Sequence, residues 1–476
     1  MKPSVKRVLI ASAAGSAVLG GVLVLLPPDT EEAAPPALGP AGRAMAAVGA
    51  GVPAALPDLA ALIGEREAHL RAHPGDDHSW AVLGSALVAR GVRTSDVTDF
   101  PRAENALNTS LRTRPAGNPE ALTGLAALAD ARHDYRAARK WGELAAGQAP
   151  KRWTSYPALI EAYSGLGDAK AVDKALESMR ELNAGATARA IAGQVYRDRG
   201  WRENADAALS DAAALAETPT ERAACLHRVG ELAWERGEPA QALRRYDAAL
   251  AADPGHHPAL AGRARALASL GRNAEALQAY RSAFARQPLP EYALELGELY
   301  EALKLKPAAK AQYDTVRARV KQESAAGVND ERLLGLLDAD HGDADAAVRR
   351  LTAEYKRHRS PQVADALGWA LHRAGESAAG LKLVTKAMDK GPRSALFAFH
   401  RGQIERDLEY EGAARRHLGE ALRINPYFSP LRVPVAKKAL AALGEPEEGG
   451  PEQVYAPPGE KPAPMPKPRP PKRRAP

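Results

Sequence analysis

Few residues in this sequence stand in patterns that could do chemistry. The nearest is DADHGDAD, residues 338–345, with four carboxylates and a histidine. Hard oxygen ligands so close together suggest a cation. A calcium loop, however, wants glycine sixth and a bidentate acid twelfth. Counted from Asp338, glycine falls fifth and Arg349 twelfth. The stretch is expected to be a solvated turn that caps a helix. His256 and His257 are adjacent but have no second ligand pair nearby in sequence. Cys225 is the one cysteine, which excludes an intrachain disulfide. It sits in an apolar helical pattern and is expected to be a small buried side chain. No Gly-rich phosphate loop, His-Glu-x-x-His helix or nucleophile elbow is present. The sequence therefore predicts no catalytic, cofactor or metal site, and a protein that is not an enzyme.

The remaining chemistry is that of surfaces, and composition says what builds them. Aromatics make up only 5% of the chain, while alanine, leucine and arginine are abundant. Helices that pack closely through small residues are expected. The net charge of +7 is spread over 476 residues, too thinly for a basic stripe, so no nucleic acid is expected as a partner.

The two ends differ from the middle. Lys2, Lys6 and Arg7 precede an uncharged run at residues 8–26. As a helix this run is about 28 Å long, enough to cross a bilayer. Residues 1–26 are expected to be a signal anchor or a signal peptide. The anchor is favoured because small residues are poorly placed for cleavage. Positive-inside orientation would then give a single pass in the cell membrane, with the rest extracytoplasmic. Secretion after cleavage near Ala33 or Ala47 is the alternative. Residues 27–57 are rich in Pro and Ala and read as a tether without a sustained helical period. Residues 444–476 read as a Pro-rich, basic, disordered tail. Its Pro468 and Pro471, followed by Lys472, Arg473 and Arg474, could dock on an aromatic groove or an anionic envelope polymer.

Residues 58–443 carry a period. Gly237 and Gly271, Ala242 and Ala276, Tyr246 and Tyr280, and Pro254 and Pro288 each lie 34 residues apart. Leu226, Val229, Gly230 and Ala233 share one helix face. Gly237 then ends that helix, Pro239 opens a second, and Ala242, Tyr246 and Ala249 form its apolar face. Gly230 is expected to face Ala242 where the two helices approach. This resembles the tetratricopeptide repeat, of a membrane-anchored bacterial type. Weaker copies run from Trp80 to Pro426. The resemblance implies an all-α solenoid of about ten helix–turn–helix repeats wound into a right-handed superhelix. The long link at residues 319–330 could divide it into two stacks. A terminal helix at residues 434–443 is expected to cover the last repeat.

In that family the first helix of each repeat lines a concave surface, and the usual ligands are peptides or extended protein segments. The repeat frame projects His227, Glu231, Trp234, Arg265, Glu298, Glu301, Trp369, His372, Phe399, Gln403 and Arg406 onto it. Trp234 and Trp369 could equally pack between repeats. The resemblance thus implies a protein–protein interaction scaffold that binds a peptide or protein segment. A structural assembly factor of an envelope complex is the alternative, and an enzyme acting on an envelope polymer is a third. The sequence leaves the oligomeric state open.

Overall fold

The computed structural model describes residues 38–444. The chain divides into Met1–Gly39, almost all outside that range, and Pro40–Pro476, which holds every described helix. The apolar run at residues 8–26 and the basic tail also lie outside the described residues.

Two helices, α1 (Pro40–Gly49) and α2 (Leu56–Ala72), precede ten helix pairs. The pairs are α3 (Asp77–Thr94) with α4 (Asp99–Thr113), α5 (Pro119–Ala131) with α6 (Tyr135–Gln148), and α7 (Pro157–Leu166) with α8 (Ala169–Leu182). Next come α9 (Ala186–Asp198) with α10 (Arg202–Leu215), α11 (Pro219–Glu235) with α12 (Pro239–Ala252), and α13 (His257–Ser269) with α14 (Asn273–Arg286). Then follow α15 (Pro290–Ala302) with α16 (Lys306–Ser324), and α17 (Glu331–His341) with α18 (Ala344–Arg357). The last pairs are α19 (Pro361–Arg373) with α20 (Ser377–Lys390) and α21 (Ala395–Asp407) with α22 (Glu411–Ile424); α23 (Arg432–Leu443) closes the array. This is an all-α solenoid.

Local chemistry sets the boundaries. Proline opens α5, α7, α11, α12, α15 and α19, where a missing N–H costs nothing. Asp134, Asp168 and Thr218 accept hydrogen bonds from the backbone N–H groups of Ala137, Ala171 and Glu221, each capping the helix that follows. Within most pairs, a glycine of the first helix receives a large side chain of the second. A Cβ on Gly230 would lie 2.7 Å from the Tyr246 ring, and one on Gly193 2.6 Å from Leu209. The expected partner of Gly230, Ala242, is buried nearby, but the ring occupies the notch. Tyrosine needs that missing side chain, whereas alanine does not.

Three further expectations change. The tether region contains α1, whose Ala41, Ala44, Ala47 and Val48 pack on the same apolar cluster as Leu59 and Leu62 of α2. Small residues at spacings of three and four carried that signal. The link at residues 319–330 does not divide the core, because one cluster holds Val316 before it, Val320 within it, and Leu333 and Leu337 after it. The longer α16 and the turn behind it instead reach an earlier part of the chain, where the Asn329 N–H donates to the Arg132 carbonyl at 3.0 Å. Finally, the single-pass membrane topology is withdrawn. Among the described residues no helix is long and apolar enough to cross a membrane, and the run that prompted the expectation is not among them.

Candidate ligand-binding inner wall

The first helices build one continuous wall. Glu161, Gln194, Glu231, Arg265 and Glu298 each stand six residues before a turn residue with positive φ: Gly167, Gly200, Gly237, Gly271 and Lys304. A fixed distance from a fixed turn puts these side chains at equivalent places on successive first helices. Two cavities open along the wall. The larger, about 1040 Å³, is lined mainly from α3, α5, α7, α9 and α11. The smaller, about 370 Å³, is lined from α13, α15 and α17 and by residues 426–434, which follow the last pair.

Around the smaller cavity the charges are matched within the chain. Tyr246 donates its hydroxyl to Glu231 Oε1 at 2.6 Å, and Arg265 donates to Glu231 Oε2 at 2.9 Å. Arg265 also forks onto Glu295, and its guanidinium lies 4.7 Å from the Trp234 ring centroid. Burial alone would raise the Glu231 carboxyl, but Arg265 and His227 outweigh it and hold the group well below the usual carboxylate range. His227 stands 3.5 Å from Glu231 Oε1. Glu298 accepts from Arg432 at 2.8 Å, and the other arm of Arg432 reaches Asp340. Glu301 accepts from the Tyr313 hydroxyl.

The remaining projected residues are less open. Trp369 is 5% exposed; its Nε1–H donates to Asp340 at 2.9 Å, and its ring stacks on His400. Phe399 is 2% exposed and packs against Phe428. Both belong to the core between repeats, not to an open groove, because residues 426–434 fold over that part of the wall. Gln403 is buried with its Nε2 unpartnered. The His372 ring lies 2.9 Å from the Ser377 hydroxyl, and Arg406 is exposed at the end of α21.

The larger cavity is chemically different, and none of its charged residues was singled out in the sequence. Asp130 of α5, Glu161 of α7 and Asp198 of α9 line it from three consecutive first helices. Asp130 Oδ1 is buried without a hydrogen-bond partner. Glu161 opens into the cavity and makes no direct ion pair; Arg228 and His133 act on it through space. Burial pushes the Asp130 carboxyl well up, and the Glu161 charge adds to it. Asp198 is pushed up to about 7 by burial, against the pull of Arg197. The same burial lowers the Arg228 guanidinium. Glu161 could have been found, since it precedes Gly167 as Glu231 precedes Gly237. Asp130 and Asp198 lie outside that position and carry no such signal.

The chemically suggestive stretches take ordinary roles. Asp343 caps α18 through the N–H groups of Asp345 and Ala346. His256 caps α13, and the His257 ring meets the Tyr292 hydroxyl at 2.8 Å. Burial pushes the Cys225 thiol up to about 11. Among the described residues no group of three His, Cys, Asp or Glu could hold a metal ion.

Residues 233–294 match a family model of the tetratricopeptide repeat. The match supports the tetratricopeptide-repeat family for this chain, and the ten helix pairs are the architecture that the resemblance implied. It gives no support to the membrane-anchored bacterial type. No curated protein matches the chain. Similar solved structures include the human IFIT1 dimer with PPP-AAAA, 16% identical over 66% of this chain and 72% of that one, with a TM-score of 0.45. A thermophilic tetratricopeptide-repeat protein of Thermus thermophilus is 25% identical over 39% of this chain and 98% of its own, with a TM-score of 0.34. Yeast Tom70 is 13% identical over 75% of this chain and 96% of its own, with a TM-score of 0.33.

Proposed function

We propose that this protein is an interaction scaffold that receives an extended segment of a partner protein along its inner wall. The observation that carries the reading is the cavity of about 1040 Å³ built from five consecutive first helices. A wall of this kind offers equivalent side chains at regular intervals, which suits a ligand that is itself extended. Trp234, Arg265 and Glu298 border the smaller cavity and are proposed to belong to the same surface, with His227 and Glu231 behind them. Asp130, Glu161 and Asp198, which line the larger cavity and make no ion pair, argue against a polyanion such as RNA, whose phosphates bind through Lys and Arg. A photo-crosslinking amino acid at Ala127, on the wall of the larger cavity, should label a partner protein in cells. The same group at Lys174, exposed on the second helix α8, should not. Equal labelling from both positions, or labelling from Lys174 alone, would refute the reading.

A further inference from the structure

The two halves of the inner wall treat their carboxylates differently. Towards the C-terminus every wall carboxylate described above is satisfied from within the chain. One of the cations comes from outside the repeat frame. Arg432 follows the segment Ser429-Pro430 and lies two residues before Pro434. It enters between Glu298 of α15 and Asp340 of α17, and pairs with both. The chain thus shows how a basic side chain at the opening of α23, just after a proline-containing link, seats itself on wall carboxylates from two successive first helices.

In the larger cavity three carboxylates make no ion pair, and of these Asp198 accepts only from the Gln194 amide at 2.9 Å. Asp130, Glu161 and Asp198 come from three successive first helices, as Glu298 and Asp340 come from two. Arg228 lines the same cavity but makes no ion pair with any of them. A fourth acid points the same way independently. Asp330, on the link before α17, is only 7% exposed and borders the cavity; its Oδ1 faces the His133 ring at 3.3 Å, but its Oδ2 is buried without a partner. A buried carboxylate oxygen with nothing to accept from is costly unless a donor arrives.

We infer that Asp130, Glu161 and Asp198 form a binding site for the lysine or arginine side chains of an extended partner segment. The inference rests on the scaffold reading above and adds the ligand's chemistry to it. Such a segment places a cation on the wall as Arg432 does, while its backbone runs past the first helices. Arg228, which lines the same cavity, offsets part of its negative charge and opposes a cationic ligand.

The test uses the full chain and a fluorescent oligomer of alternating lysine and proline, with a glutamate–proline oligomer as control. Anisotropy should show binding of the lysine oligomer alone. The double variant Glu161→Gln, Asp198→Asn should weaken it about tenfold or more. Arg228→Ala should tighten it, an effect that mere loss of structure cannot produce. Circular dichroism melting checks that each variant is folded. No binding by the lysine oligomer overturns the inference. So does binding that neither the double variant nor Arg228→Ala changes. Labelling from Ala127 of a partner segment lacking lysine and arginine would also overturn it, while leaving the scaffold reading intact. Failure of Ala127 labelling would remove both.

Discussion

Asn425 donates its side-chain amide to the backbone carbonyl of Trp234 at 2.8 Å, although 191 residues separate them. The same span recurs. Arg202 donates to the Arg393 carbonyl 191 residues on, Gln287 to the Val92 carbonyl across 195, and the His133 ring meets the Asn329 carbonyl across 196. In each case the turn or opening of one helix pair meets a link several pairs later. The solenoid therefore winds back on itself, and these contacts form a seam between successive turns of the superhelix. Asn425 is 1% exposed, so Asn425→Ala removes this buried bond and the one its Oδ1 accepts from the Tyr427 N–H, while the Trp234 carbonyl keeps the Gly237 N–H. A loss of about 1–3 kcal/mol is expected. Chemical denaturation of the variant measures it, and an unchanged midpoint would mean that the seam carries no stability.

Two glycines separate the seam from backbone strain. Gly237 and Gly271 occupy equivalent turns, with φ of +77° and +75°. A Cβ on Gly237 would lie 2.7 Å from Cδ of Pro426, across the seam, whereas one on Gly271 would meet nothing within 4 Å. Gly271→Ala should cost only the left-handed backbone term of about 1–2 kcal/mol. Gly237→Ala should cost that plus the clash. Equal melting temperatures for the two variants would remove the seam from the explanation.

This contrast also shows what the sequence could reveal. The period of 34 residues, the turn glycines and the opening prolines are local signals, and they mark the helix pairs well. The projection of the wall from turn position reaches Glu231, Arg265 and Glu298 for the same reason. The seam joins residues some 190 apart, and no local period encodes it. Nor could a repeat frame show that residues 426–434 fold over the wall and bury Phe399. That depends on a segment outside the repeats. Helix α1 was missed because its apolar face consists largely of alanine, which reads as tether composition.

Trp369 and Phe399 now make a definite stability forecast. Both are almost wholly buried, and they meet each other at 5.9 Å between ring centroids. Trp369→Ala and Phe399→Ala should each open a cavity and cost about 3–5 kcal/mol. The tryptophan change also strips Asp340 of its indole donor, while Arg432 remains on that carboxylate. Thermal melts of the two variants test this. Wild-type melting in either would place that ring outside the core.

The last expectation concerns pH. Glu323, 4% exposed, is pushed up to about 8 by burial and then by the neighbouring Asp330 charge, with Arg319 pulling the other way. Asp198 is pushed up to about 7. For both groups the folded state holds a proton that the unfolded chain has already lost, so stability falls as pH rises towards the folded value. His133 has the same sign: burial opposes its proton, but Asp330 outweighs burial and raises it. His256 and His257 act oppositely, pushed down to about 3 by burial, but their penalty appears only below the ordinary histidine value. Above pH 6.5 the carboxyls and His133 therefore act together, and the melting temperature should fall between pH 6.5 and 8. Glu323→Gln keeps a neutral hydrogen-bonding group in place and removes one titration. It should flatten the upper part of that fall and melt higher than wild type at pH 8.5. A wild-type melting temperature that rises over this window, or a Glu323→Gln profile parallel to it, would show that Glu323 enters the fold already ionised.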